Sequence, residues 1–511
     1  MHFNLNSGIA SGDTMLYVRT SVQDFDWNKI SVAGAAEWMT GAQGSKDVTL
    51  YNGASMNLSN YAPRGTTSGD FEYGVRSNTS TPALSTVSAT KIYFEGNKFQ
   101  NADVTYDSGN HIPPVTSHYD GVVFGGISTL GNTTYKNKLT INGGDDFTGR
   151  KVAAGYTLSQ TGDATHNELV LKNISASTLT NHTDLYGGWS EQGDATNNTI
   201  TLDGTTYGYF GAWYYANLHG GGGNNSSKDK TTGNTLKVTT KDNAANSLVN
   251  FEKMHFNLNS GIASGDTMLY VRTSMQNFDW NKITVGGLSA WVNKLKADGV
   301  NNPTATLYTG SGFTLTNYRP DLIGTVGDYE FGKKANVTGT GTVSASVLTL
   351  DGNRFQNATE TPTTSSSTDI HAGISTYGNT TNHNTLNLKK NGSTPLTFTT
   401  VRAGYTKALN GGSDFNTLNL LDGASVTTGY AGYTEGRNLL LHPTDEDDPT
   451  AVDTTKNADA KNNIVNIQGG TLNAGGKLYG GYIATNAALT PPNNVSAGNA
   501  SGNTINIESG T

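Results

Sequence analysis

The sequence predicts an all-β protein, a parallel β-solenoid of the right-handed β-helix type, and three observations carry that prediction. Units of about 30 residues recur along the chain, and a unit of that size has to stack on its neighbours to bury an apolar face. Apolar and polar residues alternate within the units. The 511 residues include 63 Gly but only 14% charged residues, against about a quarter in ordinary globular domains.

A long repeat divides the chain into two tandem copies of one module. Residues 1–21 recur letter for letter at 254–274, and "GDFEYG" (69–74) returns as "GDYEFG" (327–332). "EGNKFQNA" (95–102) likewise returns as "DGNRFQNA" (351–358). We therefore expect four regions. They are a lead segment of irregular β rungs at 1–121, short-repeat rungs at 122–253, a second lead segment at 254–371, and second rungs at 372–511 with an acidic insertion at 442–463.

The short repeat predicts the rungs themselves. Each unit has a small-Gly-aromatic corner such as "YGGW" (186–189), a polar loop, and an Asn that precedes alternating apolar residues such as Ile200 and Leu202. This alternation indicates a half-buried strand. We expect the asparagines to stack into a ladder of side-chain amides and the corner aromatics to stack likewise. The predicted ladder residues are Asn137, Asn167, Asn198, Asn234, Asn384, Asn416, Asn463 and Asn503.

Composition argues against several classes of protein. The net charge of -8, without any basic run, argues against a nucleic-acid partner. The absence of cysteine excludes disulfides, thiolate nucleophiles and Cys-based zinc sites. No segment approaches the 18 or so apolar residues of a membrane span. Met1 is not followed by the pattern of a signal peptide, and we expect the chain to be an internal piece of a longer protein.

Three motifs together resemble a known family. "NSGIASGDTML", the "YGGW" and "YGGY" corners, and strand beginnings such as "GDATNNTITL" resemble the passenger region of large type V autotransporter adhesins of anaerobic Gram-negative bacteria. The resemblance covers essentially the whole chain. It implies export to the bacterial cell surface, outer-membrane anchoring through a part not included here, and a β-helical stalk. It also implies a role in adhesion and virulence, with cell-surface glycans or proteins of host or bacteria as partners.

Trp213, Tyr214 and Tyr215 are the predicted ligand-binding residues. They lie in the most concentrated aromatic run, "YGYFGAWYYANLHGG" (207–221), where exposed rings would form a stacking platform for sugars. Strand alternation would direct about half of the rings inward. Packing within the ladder is therefore the favoured interpretation, and an exposed ligand patch is the alternative.

No cofactor is expected, and weak calcium binding by an acidic loop is considered only as the alternative to a solvated loop. Carboxylate oxygens are the ligands that calcium prefers. The run lacks the alternating Asp/Asn spacing and the Gly of a loop that folds around the ion, so a solvated loop is the favoured interpretation. The residues are Asp445, Glu446, Asp447 and Asp448.

No catalytic residue is predicted. Asp145 and Asp146 lie side by side, and adjacent strand residues point to opposite faces, which favours a polar turn over an acid/base pair. Asp13 and Asp266, in the duplicated "ASGDTM" stretch, are interpreted as turn residues, because no positioned His and carboxylate accompany them. We expect a non-enzymatic adhesin or stalk. The alternatives are a self-associating filament or surface-layer protein, and a β-helix polysaccharide hydrolase or lyase.

Overall fold

The computed structural model of the chain is mostly β, with long parallel sheets. It describes residues 1–42, 45–62, 64–79, 85–107, 122–143, 151–159, 161–174, 183–204, 216–407, 411–435, 458–484 and 499–510. Two α-helices, α1 (Ala35–Trp38) and α2 (Leu288–Ala297), and two 3₁₀ helices, Trp27–Lys29 and Trp280–Lys282, interrupt the strands. Within these residues, no helix combines the length and the apolar character needed to cross a bilayer.

The first lead segment consists largely of antiparallel hairpins. β5 pairs with β8, β8 with β7, and β7 with β6, all antiparallel. The β6–β7 turn is the two-residue Gly69-Asp70, in which Gly69 has a φ of 58°, as such short hairpin turns require. The strands are β1 (His2–Asn4), β2 (Tyr17–Val18), β3 (Phe25–Asp26), β4 (Ser31–Ala33), β5 (Lys46–Tyr61), β6 (Arg64–Ser68), β7 (Phe71–Ser77), β8 (Ser85–Lys98) and β9 (Asp103–Asp107).

Parallel strands follow, each pairing with its equivalent one unit later along the chain. One sheet contains β10, β13, β16 and β19, a second contains β11, β14 and β17, and a third contains β9, β12, β15, β18 and β20. These strands are β10 (Val122–Ser128), β11 (Thr134–Tyr135), β12 (Lys138–Asn142), β13 (Lys151–Thr157), β14 (Ala164–Thr165), β15 (Glu168–Lys172), β16 (Asp184–Ser190), β17 (Ala195–Thr196), β18 (Thr199–Asp203), β19 (Asn217–Gly222) and β20 (Thr235–Val238).

The second lead segment continues these sheets and then repeats the hairpins. β22 pairs in parallel with β20, and β23 with β21, whereas β26 and β29 are antiparallel. The strands are β21 (Asn243–Val249), β22 (Lys253–Asn257), β23 (Thr267–Met275), β24 (Phe278–Asp279), β25 (Ile283–Gly286), β26 (Thr304–Tyr318), β27 (Asp321–Val326), β28 (Tyr329–Ala335) and β29 (Gly341–Arg354).

The last region is parallel again. β31, β34, β37 and β38 are successive neighbours, and β30, β33, β36, β38 and β39 form a matching series in which an Asn precedes every strand except β30. The strands are β30 (Thr359–Glu360), β31 (Ile370–Ser375), β32 (Thr381–Asn382), β33 (Thr385–Leu388), β34 (Leu396–Thr406), β35 (Ser413–Asp414), β36 (Thr417–Leu421), β37 (Ala424–Thr434), β38 (Ile464–Ile483) and β39 (Thr504–Gly510).

The mostly β character and the parallel sheets are confirmed, but the lead segments differ from irregular rungs. Each lead segment has an α-helix and a four-strand antiparallel portion. The reason is local. Gly69 and Gly327, each followed by Asp, have positive φ and close two-residue turns that reverse the chain before another unit can stack.

A buried carboxylate joins each lead segment to its first rung. Glu72 accepts hydrogen bonds from Asn97 Nδ2 (3.0 Å), Ser128 Oγ (2.7 Å), the Thr129 amide (2.6 Å) and Asn132 Nδ2 (2.8 Å). An ionised carboxylate is tolerated inside a protein only when such donors replace water. Both oxygens are used, so the register between hairpin and rung is fixed here.

The second module has the same junction around Glu330. The carboxylate accepts from Asn353 Nδ2 (2.9 Å), Ser375 Oγ (2.8 Å), the Thr376 amide (2.6 Å) and Asn379 Nδ2 (2.8 Å). Both glutamates are fully buried. They are structural acids, and the repeated "GNTT" after each first corner supplies the Asn that holds them.

The "WNK" turn occurs in both modules, and in each a positively charged side chain donates hydrogen bonds to it. That side chain comes from a different strand in the two modules. In the second module Lys333 donates to the carbonyls of Trp280 (3.0 Å) and Ile283 (2.5 Å). In the first, Arg64 donates to the carbonyls of Trp27 and Ile30. Arg64 pairs with Val75 across the hairpin, as Asp321 pairs with Lys333. The positive charge has therefore changed strands while keeping its partners.

Candidate functional site

The asparagines that head the rungs form two ladders of buried amides. In the first, the backbone N–H of Asn137 donates to Asn167 Oδ1 at 3.1 Å, and Asn137 Nδ2 donates to the same oxygen at 2.9 Å. Asn167 repeats both bonds to Asn198, and the Asn198 N–H donates to Asn234 Oδ1. Each amide therefore accepts from the rung before it.

The second ladder has the same geometry. The N–H and Nδ2 of Asn384 donate to Asn416 Oδ1, those of Asn416 to Asn463 Oδ1, and those of Asn463 to Asn503 Oδ1, at 2.8–3.1 Å. All are buried except Asn503, which is half-buried. A buried amide left unpaired would be costly, so these bonds impose a single stacking register.

Glycine and asparagine are coupled at seven of the described corners. A Cβ built on Gly155 would lie 2.4 Å from the Asn167 side chain, and one on Gly404 would lie 2.3 Å from that of Asn416. Five other corners show contacts of 2.2–2.6 Å with their ladder asparagine, well inside normal packing distance. Those glycines are Gly126, Gly188, Gly373, Gly432 and Gly481. The corner Gly and the ladder Asn therefore depend on each other, because the Asn amide occupies the space that a Cβ at the corner would fill.

The residue before each ladder asparagine has positive φ, which sequence reasoning missed. Lys136 has a φ of 53° and Phe415 one of 54°. This left-handed conformation is unfavourable for most residues other than Gly and Asn, and it turns the next side chain inward. Gly233 and Gly502, each preceding a ladder Asn, were the available signal. The other such residues are His166, Asn197, His383 and Asn462.

A second, outer ladder of asparagines runs along the last region. Asn419 Nδ2 donates to Asn387 Oδ1 (2.8 Å), Asn466 Nδ2 to Asn419 Oδ1 (2.8 Å), and Asn506 Nδ2 to Asn466 Oδ1 (2.9 Å). The signal is a second Asn three residues after the first, as in "NTLNL" and "NTINI". The first module has Thr, Val or Lys at these positions, and these side chains cannot continue a ladder of amides.

Corner tyrosines and one arginine of the second module form a face that we call the tyrosine face. Its members are Arg402, Tyr405, Tyr430, Tyr433, Tyr479 and Tyr482. Tyr430 and Tyr479 stack at 5.0 Å with planes 8° apart. Tyr433 and Tyr482 stack at 5.4 Å, 15° apart. The four last tyrosines are half-buried. Two parallel ring columns therefore reach solvent.

Arg402 lies within the tyrosine face. Its guanidinium is 4.5 Å from the centre of the Tyr405 ring and 4.3 Å from that of Tyr433, and it forms an ion pair with Asp369. Burial alone would lower the pKa of Arg402, but the hydrogen bond and charge of Asp369 outweigh it and raise that pKa above its usual value. Its Nε has no hydrogen-bond partner among the described residues. The face thus combines aromatic surface with a fixed positive charge.

His371 precedes Arg402 in the same column. Burial, and then the charges of Lys407 and Arg402, lower the pKa of His371 to about 4. The imidazole is therefore neutral near pH 7. Phe124 is the residue at this position in the first module, where it belongs to a buried cluster of apolar and aromatic side chains. Equivalent columns therefore differ between the modules. In the first module their side chains are buried against one another, and in the second they form the half-buried tyrosine face.

The duplicated "ASGDTM" stretch closes a turn in both copies. Asp13 Oδ2 accepts from the Ala10 amide at 2.8 Å, and Asp266 Oδ2 accepts from the Ala263 amide at 2.7 Å. Gly12 in this turn has a φ of 88°. These contacts agree with the interpretation of Asp13 and Asp266 as turn residues.

The predicted ligand and calcium residues lie outside the described part of the chain. This applies to Trp213, Tyr214 and Tyr215, to Asp445, Glu446, Asp447 and Asp448, and to Asp145 and Asp146. Over the ranges that the structure describes, no group of three or more His, Asp or Glu is placed to hold a metal ion. The tyrosine face is therefore the candidate site that the described residues offer.

In comparisons with known proteins, no family model, curated protein or solved structure matches this chain.

Proposed function

We propose that the three parallel sheets are faces of one right-handed β-solenoid. The support is the register: Leu139 pairs with Leu169, Leu169 with Ile200, and Ile200 with Leu236, each one unit later in the sequence. Parallel connections of this kind are right-handed in nearly all proteins. The asparagine ladders stabilise such a stack along its axis.

We further propose that this solenoid is a non-enzymatic stalk of a bacterial cell-surface adhesin. The observation that carries the proposal is the repetition itself, since the same amide ladder and aromatic columns recur through both modules. Two fully buried carboxylates among the described residues, Glu72 and Glu330, are hydrogen bonded to structural donors through both oxygens. They hold lead segments to rungs and are not available for acid/base chemistry.

The tyrosine face is the proposed contact surface, and glycans are its proposed ligands. Tyrosine presents an apolar ring with a polar tip, which suits the apolar face and the hydroxyls of a sugar. One such contact is weak. Many copies on a cell surface, or many modules in one stalk, multiply weak contacts into firm attachment.

The test is adhesion measured at high and low valency. Beads coated with the chain and the same chain in solution are applied to glycan arrays, matrix proteins and cells. We expect coated beads to bind a subset of glycans and Tyr479→Ala/Tyr482→Ala beads to lose that binding. The matched control is Tyr17→Ala, which removes a ring that is 66% exposed in the first lead segment. Equal binding by both variants, or no binding by wild-type beads, contradicts the proposal.

A further inference from the structure

Asp321 and Lys333 lie opposite each other in the β27–β28 hairpin of the second lead segment. Lys333 is only 6% exposed, and lysine is almost never buried to this degree unless it is paired. Its Nζ lies 3.8 Å from Asp321 Oδ2 and 4.3 Å from the centre of the Trp280 ring. The hairpin therefore holds an amine and a carboxyl group together, away from most of the solvent.

The hydrogen bonds of Lys333 leave one direction of its nitrogen for Asp321. Nζ donates to the carbonyl oxygens of Trp280 at 3.0 Å and of Ile283 at 2.5 Å. A neutral amine has two N–H groups and one lone pair, so these carbonyls use both N–H groups. The lone pair is then left for the third neighbour, the Asp321 carboxyl group.

Trp280 fixes the carboxyl group of Asp321 through the other oxygen. The indole Nε1 donates to Asp321 Oδ1 at 2.9 Å. A fixed N–H donor at a carboxyl oxygen stabilises the negative charge that develops there when a nucleophile attacks the carbon. Oδ1 is therefore the oxygen that an attack would leave in place, and Oδ2, which contacts the amine, is the one that can depart.

Burial moves both groups toward their uncharged forms. It raises the pKa of Asp321, although the charge of Lys333 and the hydrogen bond from Trp280 lower it. It lowers the pKa of Lys333, although the charges of Asp321 and Asp279 raise it. A neutral amine is the nucleophilic form of lysine, and a protonated carboxyl group loses its oxygen as water, so burial favours the pair of forms that can react.

We propose that Lys333 and Asp321 join in an intramolecular isopeptide bond. The ammonium group passes one proton to Asp321 Oδ2, its nitrogen attacks the carboxyl carbon, and the bond from that carbon to Oδ2 breaks. One water leaves with Oδ2 and two protons of the ammonium group, and the two opposite charges disappear. No oxidant or further reactant is needed. Two groups held near the attack distance of about 3–3.5 Å react as parts of one molecule.

The first module lacks the reacting groups at the equivalent place. Arg64 and Val75 lie opposite each other in the β6–β7 hairpin, so this pair has neither a lysine amine nor a carboxyl group. Trp27 is the counterpart of Trp280, and its Nε1 has no hydrogen-bond partner among the described residues. The bond would therefore be specific to the second hairpin. There it ties β27 to β28, the strand that β27 pairs with in the described sheet.

The test is the mass of the intact, unfolded chain, followed by a peptide map. We expect the wild-type chain to be lighter than its sequence by one water, and its digest to contain a branched peptide that joins Asp321 to Lys333. Lys333→Arg keeps the positive charge but cannot form this amide, so it should have the full mass. A wild-type chain of full mass overturns the proposal, and so does a water lost elsewhere while the two peptides remain separate.

A second variant tests the part played by the indole. Trp280→Phe keeps an aromatic ring and removes the N–H that donates to Asp321. We expect its cross-linked fraction, measured at a fixed time after synthesis, to be several-fold lower than that of the wild type. Trp27→Phe is the matched control in the first module and should leave the fraction unchanged. Equal fractions in the two variants would overturn the role given to Trp280.

Discussion

Gly404→Ala tests the coupling between corner glycines and ladder asparagines. The backbone of Gly404 is an ordinary strand, so alanine is not excluded by φ. The added Cβ would lie 2.3 Å from Asn416 Nδ2 and 2.4 Å from its Cγ, which is more than about 1 Å inside a normal contact distance. Something in the ladder has to move.

The cost follows from the bonds that Asn416 makes. If the amide turns away, it loses the bonds from the Asn384 N–H and Nδ2 and its own bonds to Asn463 Oδ1 and the Thr381 carbonyl. At about 1 kcal/mol each, the loss is about 4 kcal/mol. If the amide stays, overpacking costs about 1–3 kcal/mol. We expect Gly404→Ala to lower the free energy of unfolding by about 3 kcal/mol.

The matched control is Gly312→Ala. A Cβ at Gly312 would have its nearest neighbour, the Ala345 carbonyl oxygen, at 3.8 Å. Alanine there should be neutral or stabilise by about 0.5 kcal/mol, because it restricts the unfolded chain. The assay is guanidinium unfolding followed by circular dichroism.

A double-mutant cycle with Asn416→Ala completes the test. Once the amide is absent, Gly404→Ala has nothing to displace, so its cost should fall below about 1 kcal/mol. The reasoning is refuted if Gly404→Ala and Gly312→Ala unfold at the same denaturant concentration, or if the cost of Gly404→Ala is unchanged without Asn416.

Three further predictions concern strain, protonation and the junction between lead segment and rungs. Lys136→Gly, at a φ of 53°, should stabilise the chain by about 1 kcal/mol in thermal unfolding, whereas Lys138→Gly in the adjacent strand should destabilise it. His371 has a folded pKa of about 4 against 6.5 unfolded, so the unfolded chain takes up its proton first as pH falls. The free energy of unfolding should therefore drop by about 3 kcal/mol between pH 6.5 and 4, and His371→Phe should remove that drop in urea titrations. Glu330→Gln should lower the free energy of unfolding by about 3 kcal/mol, because the Gln NH2 group, a donor, then faces the Ser375, Thr376 and Asn379 donors. Hydrogen exchange should show faster opening around β31.

The asparagine ladders and the parallel strand pairing were the part of the fold that the sequence predicted. Asn137, Asn167 and Asn198 recur before alternating apolar residues, and an Asn repeated at equivalent positions of stacked strands indicates a ladder of side-chain amides. The parallel pairing follows, because equivalent residues in a stack have to lie side by side.

The lead segments and the site were harder to predict, for physical reasons. A hairpin forms instead of a stacked strand only where a short turn reverses the chain. The Gly-Asp pairs at 69–70 and 327–328 that form these turns are weak local signals within a chain of 63 glycines. The tyrosine face arises from residues on three strands, and its half-open state depends on what packs over it. Neither is visible in one repeat considered alone.

Disulfide mapping within one chain tests most directly the parallel stacking on which the proposed solenoid depends. Ser425 and Thr471 are register partners on adjacent parallel strands, as are Thr397 and Ser425. Ser425→Cys/Thr471→Cys should therefore form an intramolecular disulfide in the folded state. Thr397→Cys/Thr471→Cys, two strands apart at about 9.6 Å, should not. Ready bonding of the second pair, or failure of the first in folded protein, would contradict the parallel stacking on which the account depends.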